Sequence, residues 1–94
     1  MSNTFRLQIL SLRRVLFDGE VKSVRLSGDE GEYELLPFHF PLLGALPEGE
    51  VVIAEKGTVP LRVGVVMFQH NHCTIIVEEQ EEGVQAPDGE KVKK

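Results

Sequence analysis

The chain has 94 residues, enough for one domain with one modest core. Ten Lys and Arg against fifteen Asp and Glu give a formal charge of -5, which argues against nucleic acid or an anionic membrane as the main partner. The sequence has no apolar run near the roughly 20 residues that a spanning helix needs, so direct membrane insertion is not expected. The hydrophobic fraction of 41% suits a globular protein, and the single cysteine, Cys73, excludes an internal disulfide and favours a reducing compartment. Met1-Ser2-Asn3-Thr4 lacks the basic-then-apolar pattern of a signal peptide.

Thr4 to Leu10 alternates, with Phe5, Leu7 and Ile9 on one side and Arg6 and Gln8 on the other. A period of two predicts a half-buried strand. Arg14 to Phe17 reads as a second strand stopped by the turn dipeptide Asp18-Gly19, and Val21 to Ser27 as a third. Gly28-Asp29-Glu30-Gly31 is the strongest turn signal. Glu32 to Leu36 follows as a strand, with Tyr33 and Leu35 opposite Glu32 and Glu34. Pro37 and Pro41 bracket Phe38-His39-Phe40 in a stiff link, and Leu42, Leu43 and Leu46 lead to the turn Pro47-Glu48-Gly49. Val51 to Ala54 is a strand. Leu61 to Phe68 predicts one strand or a bent pair, with Gly64 a candidate bulge. A tight turn at Asn71 returns the chain through a strand over Cys73 to Glu79.

Short strands separated by turn signals, with no convincing helical period, predict an all-β fold: a sandwich or barrel of at least seven short strands. Phe5, Leu7, Ile9, Phe17, Val24, Leu26, Ile53 and Ile75 are the expected core. The domain is expected over 1–80, with 81–94 a polar, mobile tail.

The search for chemistry yields no catalytic set, and no cofactor is expected. His70-Asn71-His72-Cys73 is the sharpest metal candidate, with His70 and His72 as ligands. On a strand, however, those two histidines share a face that Cys73 does not, and His39 is the only other histidine. A polar hairpin turn explains the motif with fewer assumptions. His39 has no nucleophile in an elbow context near it and reads as a histidine packed on aromatics and bonded to backbone. Cys73, among Thr74, Ile75 and Ile76, reads as a buried, inert thiol. Asp29, Glu30, Glu32 and Glu34 lack calcium-loop spacing and read as a solvated face or as a contact for a basic partner.

The stretch from Leu16 to Tyr33, LFDGEVKSVRLSGDEGEY, followed by Leu36-Pro37, His39 and Pro41-Leu42-Leu43, resembles the epsilon subunit of F-type ATP synthases. That family reads L-F-x-G, then V, then an apolar-G-x-x-G-E-aromatic run, then L-P-G-H-x-P-L-L. Gly49 with Val51, Val52 and Ile53 matches its G-x-V-x-I strand, and Thr74-Ile75-Ile76 its V-T-V-L segment. The match covers residues 5 to 78 with unbroken spacing from Leu16 to Leu43. The resemblance implies a flattened two-sheet β-sandwich of short, mainly antiparallel strands, and a non-catalytic rotor subunit in the central stalk. It implies two partners, the gamma subunit and the membrane ring, at the cytoplasmic face of a bacterial plasma membrane or its organellar equivalent. Asp29, Glu30, Gly31 and Glu32 are the implied ring contacts; Phe38, His39, Phe40, Leu42 and Leu43 are implied contacts of gamma or the ring.

There are departures. The family's glycine before the histidine is Phe38 here, its S-G-G stretch becomes Gly64-Val65-Val66, and the hairpin at His70-Asn71-His72 is shorter. The family usually continues into a helical hairpin that regulates ATP hydrolysis, so this chain is expected either as a naturally short form or as one domain. Residues after Glu79 carry Gly83, Pro87 and Gly89 and only Val84 and Val92 as larger aliphatics, so as given they are expected not to supply that inhibition. The competing reading is a free-standing β-sandwich that binds a metal or small ligand through His70 and His72.

Overall fold

A computed structural model describes residues 3–80. The expected tail, 81–94, lies outside the described residues. Eight strands follow in chain order: β1 (Phe5–Leu10), β2 (Val15–Val21), β3 (Val24–Gly28), β4 (Gly31–Leu35), β5 (Leu42–Leu46), β6 (Gly49–Ile53), β7 (Gly57–Gln69) and β8 (His72–Glu79). No helix occurs among the described residues.

The alternation read from the sequence becomes the burial pattern. On β1, Phe5, Leu7 and Ile9 are inside while Arg6 faces water. Hydrogen-bonded neighbours run β2-β1-β8-β7-β6-β3-β4, and β5 pairs with β7. All pairs are antiparallel except β1 with β8.

The long strand β7 makes this a sandwich. Its first part, Gly57 to Leu61, pairs with β6. Its second part, from Gly64 to Phe68, pairs with β5 on the edge that β6 has left. Leu61 to Gln69 pairs with β8 on the other edge, with a register shift between Leu61 and Val63. Such a shift bends a strand and increases its twist, which lets one strand serve two layers. One layer is therefore β2-β1-β8-β7-β5 and the other β7-β6-β3-β4, joined through β7. Side chains from both fill one core, including Leu7, Ile75 and Val66 from the first and Leu26, Leu35 and Val51 from the second. Phe5 and Phe68 meet edge to face at 5.2 Å within it. Burial of each such large side chain contributes about 1.5–3 kcal/mol. Among the described residues no polar or charged one is buried.

Seven of the eight expected core residues are buried; Phe17 is half-buried and packs on the core edge. Three local expectations are corrected. Asp18-Gly19 does not stop β2: Asp18 lies opposite Gln8 and Gly19 opposite Leu7. Asp18 is held there by Arg6, whose Nε donates to its Oδ1 at 2.7 Å, so a turn-forming pair is recruited into a ladder. The turn falls at Lys22-Ser23 instead. Leu42–Leu46 is a strand without visible alternation, because its inward residues (Leu42, Leu46) and outward ones (Leu43, Ala45) are all apolar. The irregularity in β7 precedes Gly64 rather than falling on it.

Candidate functional site

Two groups of expected contact residues lie at opposite ends of β4. The turn Asp29–Gly31 enters the strand, and Leu36 to Phe38 leave it. At about 3.3 Å per residue, five strand residues separate the groups by roughly 15 Å. Asp29, Glu30, Gly31 and Glu32 are all exposed. Gly31 has φ of 120°, a left-handed conformation that favours glycine and closes the β3–β4 hairpin.

At the other end the Pro-bracketed link folds back on the β7–β8 hairpin. Phe38 sits at φ of 66° even though it is not glycine. The backbone thus adopts at Phe38 a conformation open to the glycine that the family pattern carries there. Its N–H donates to Oδ1 of Asn71 at 2.7 Å, and Asn71 Nδ2 donates to the Thr4 carbonyl at 3.0 Å. Asn71 and His70 are themselves left-handed, at φ of 59° and 52°, as a two-residue hairpin turn demands. His39 is half-buried; its Nδ1 donates to the Phe40 carbonyl at 2.7 Å and its ring packs on Phe40 and Phe68. That bears out the backbone-bonded, aromatic-packed reading, with Phe40 and Phe68 as the two rings. Phe38 and Phe40 are each 71% exposed and Leu43 is 73% exposed. Leu42, by contrast, turns inward and is half-buried.

A left-handed conformation costs a residue with a Cβ about 1–2 kcal/mol, partly offset on glycine substitution by the freedom glycine gains when unfolded. Phe38→Gly should therefore stabilise the domain by about 0.5–1 kcal/mol, since an exposed ring loses little burial. A thermal melt should show a rise of a few degrees.

Strand register reveals a surface that the sequence alone does not show. Outward residues on the first layer line up as Val15 on β2, Leu10 on β1, Ile76 on β8, Val65 on β7 and Ala45 on β5. This apolar row crosses all five strands unbroken. Val15, Ile76 and Val65 are 60%, 52% and 46% exposed. In the next row Met67 and Leu43 are neighbours and extend the patch along β5 and β7 toward Pro41 and Phe40. Beyond it the face becomes polar. His72 Nε2 donates to Gln8 Oε1 at 2.9 Å, and Gln8 Nε2 and Arg6 Nε both donate to Asp18. Arg6 bonding first holds the Asp18 carboxyl below its ordinary range, against a smaller effect of desolvation. At the opposite end of the face, Arg14 and Ser11 bond Glu79 and lower its pKa in the same way.

The outer face of the second layer differs. Glu34, Arg25, Val52 and Thr58 form its central row, with Glu32 and Glu50 nearby. The first layer's outer face thus carries a contiguous apolar patch, while the second layer's carries charged residues along and beside its central row. An exposed, contiguous apolar sheet face on a small domain marks an interaction surface.

The metal reading gains nothing from the geometry. His70 occupies the turn and His72 bonds Gln8, while among the described residues no three His, Cys, Asp or Glu side chains gather as a metal set. Cys73 is buried and desolvation pushes its thiol up to about 12, so it is inert.

Residues 4–83 match the family described as ATP synthase, Delta/Epsilon chain, beta-sandwich domain. The chain belongs to this family. It is 35% identical over 80 residues to the ATP synthase epsilon chain of a Nitratiruptor species, a match covering 81% of this chain and 62% of that one. It is 34% identical over 85 residues to the chloroplastic ATP synthase epsilon chain of Anthoceros angustus, covering 87% and 62%. The chain therefore spans about 62% of the length of these curated relatives. Among solved structures, a chain of the Tetrahymena thermophila mitochondrial ATP synthase central stalk and c-ring superposes with a TM-score of 0.69 at 17% identity, covering 89% of this chain and 79% of that one. A chain of the Euglena gracilis mitochondrial ATP synthase, in its OSCP/F1/c-ring assembly, gives 0.75 at 16%, covering 84% and 53%. At those identities the likeness is one of fold.

Proposed function

We propose that this domain is a central-stalk rotor part of an F-type ATP synthase, joining the gamma subunit to the membrane ring. In a bacterium it would work at the cytoplasmic face of the plasma membrane. The observation that carries this reading is the asymmetry of the sandwich. Its apolar face, with the row from Val15 to Ala45, suits a permanent protein partner, which we assign to gamma. The acidic turn Asp29 to Glu32 presents acceptor-only carboxylates at one end, suited to basic or amide groups on the polar loops of the ring. A rotor part must also carry torque without deforming. Two layers hydrogen-bonded through a shared strand, around a core with no buried polar group among the described residues, form a stiff body.

Glu32→Lys tests the ring contact. It should weaken coupling of ion flow to ATP synthesis in reconstituted vesicles. The isolated domain should stay folded, because an exposed charge contributes under about 1 kcal/mol. Coupling equal to that of the unaltered protein would remove Glu32 from the ring contact. The free-standing metal-binding alternative has no observation in its favour.

A further inference from the structure

We propose that Asn71 is a positioning residue that aims the Phe38 ring at an apolar patch of the gamma subunit; the proposal rests on the stalk reading above. Folding alone does not account for Phe38. Its ring is 71% exposed, and its backbone is held at φ of 66°, where glycine would sit without strain. A large apolar side chain on strained backbone, turned to solvent, gains its value from a partner.

Two contacts hold it there: the His39 N–H donates to the Leu36 carbonyl at 3.2 Å and closes a turn over Pro37-Phe38, and the Asn71 side chain docks that turn on the β7–β8 hairpin. Asn71 accepts the Phe38 N–H through Oδ1 and donates through Nδ2 to the Thr4 carbonyl. Its own carbonyl accepts the Arg6 N–H at 3.2 Å. The amide thus ties the Pro-bracketed link to the start of β1 across the β7–β8 turn. Glycine, which also suits a left-handed turn, could make neither side-chain bond. The turn accounts for the φ of 59° at Asn71 but for neither side-chain bond.

The choice of gamma over the ring comes from placement. The Phe38 link lies at the end of β4 opposite the acidic turn assigned to the ring. It also leads directly through Phe40 and Pro41 into Leu43 and Ala45, the edge of the apolar face assigned to gamma. Phe38 itself stands at the rim, where it lines a groove with Asn3, Thr4, Lys22 and Pro37. Its exposed ring is the apolar part of that rim, so its target is an apolar patch.

The test is a double-mutant cycle on the full chain, titrated with purified cognate gamma subunit. Phe38→Gly should weaken binding about 10-fold without lowering the melting temperature. Asn71→Gly keeps the left-handed turn and removes both side-chain bonds. It should weaken binding by a similar factor and speed hydrogen exchange at the Phe38 amide. Combined with Phe38→Gly, it should add little, because the ring it positions is gone. If the two effects multiply independently, Asn71 acts only on general stability and the proposal fails. If both single variants bind as the unaltered chain does, Phe38 is no contact, and the proposal fails while the stalk reading stands. If the unaltered chain does not bind gamma, the stalk reading falls and takes the proposal with it.

Discussion

Gly64→Ala should lower the melting temperature by about 10–20 °C. A Cβ at this position would lie 2.8 Å from the Ile76 carbonyl oxygen, 3.2 Å from Val77 and 3.3 Å from Leu61. The first of these is backbone of the neighbouring strand and cannot rotate away. Relief requires β7 and β8 to separate where the core contains Val66, Ile75 and Val77. Overpacking of this kind costs about 2–3 kcal/mol, a large share of the stability of so small a domain. In a domain of this size each kcal/mol moves the melting temperature by about 4–8 °C. A melt followed by circular dichroism gives the shift directly. A change of under about 2 °C would mean that the strands have slack to spread. Gly64 also matters to the surface, since the close approach it permits sets Val65 beside Ile76 in the outward row.

Ile76→Asp should weaken binding to the gamma subunit by about 100-fold or more while leaving the domain folded. Ile76 is the middle member of the five-strand apolar row and is 52% exposed in the free domain. In water the new carboxylate would be solvated. In an apolar interface it would be buried without a partner, and an uncompensated charge there costs several kcal/mol. Val65→Asp, one strand over, should act in the same direction. Thr58→Asp, on the outer face of the other layer, should leave the affinity unchanged within about 2-fold. Titration of gamma into each variant measures this. Equal losses for Ile76→Asp and Thr58→Asp would show that charge rather than place governs binding.

Much of the fold was legible in the sequence because one-sided burial writes an alternating pattern. Phe5, Leu7 and Ile9 are the plainest case, and Val24 and Leu26 repeat it. Where both sides of a strand are apolar the signal vanishes. Leu42 to Leu46 could not be read as a strand, since Leu43 and Ala45 break the period by facing outward. The same residues belong to the apolar face, so the surface that hid the strand is the surface of interest. Local turn chemistry misled at Asp18-Gly19, where the cross-strand bond from Arg6 overrides a dipeptide preference.

The site was legible only in its loops. The acidic turn and the Phe38 link are contiguous in sequence, and the family pattern covers both. The apolar row joins positions 10, 15, 45, 65 and 76, and it exists only once five strand registers are fixed. The apolar run from Val63 to Met67 hinted at it. Asn71 was visible as a turn residue but not as the partner of Phe38 and Thr4, because those bonds span 33 and 67 residues.

Site-directed cross-linking in the assembled enzyme tests the central-stalk assignment most directly. A cysteine introduced as Ile76→Cys would sit on the apolar face, and one introduced as Thr58→Cys on the outer face of the second layer. The native Cys73 is buried, and its thiol is too basic to compete. With each cysteine labelled on the free chain by a photoreactive maleimide, then assembled into the complete ATP synthase and illuminated, Ile76→Cys should give a product containing this chain and gamma, whereas Thr58→Cys should give none. In a separate assembly made with unlabelled chain, Ile76→Cys should be shielded from a water-soluble thiol reagent. Rapid labelling of both cysteines, with no gamma-containing product from either, would contradict the assignment.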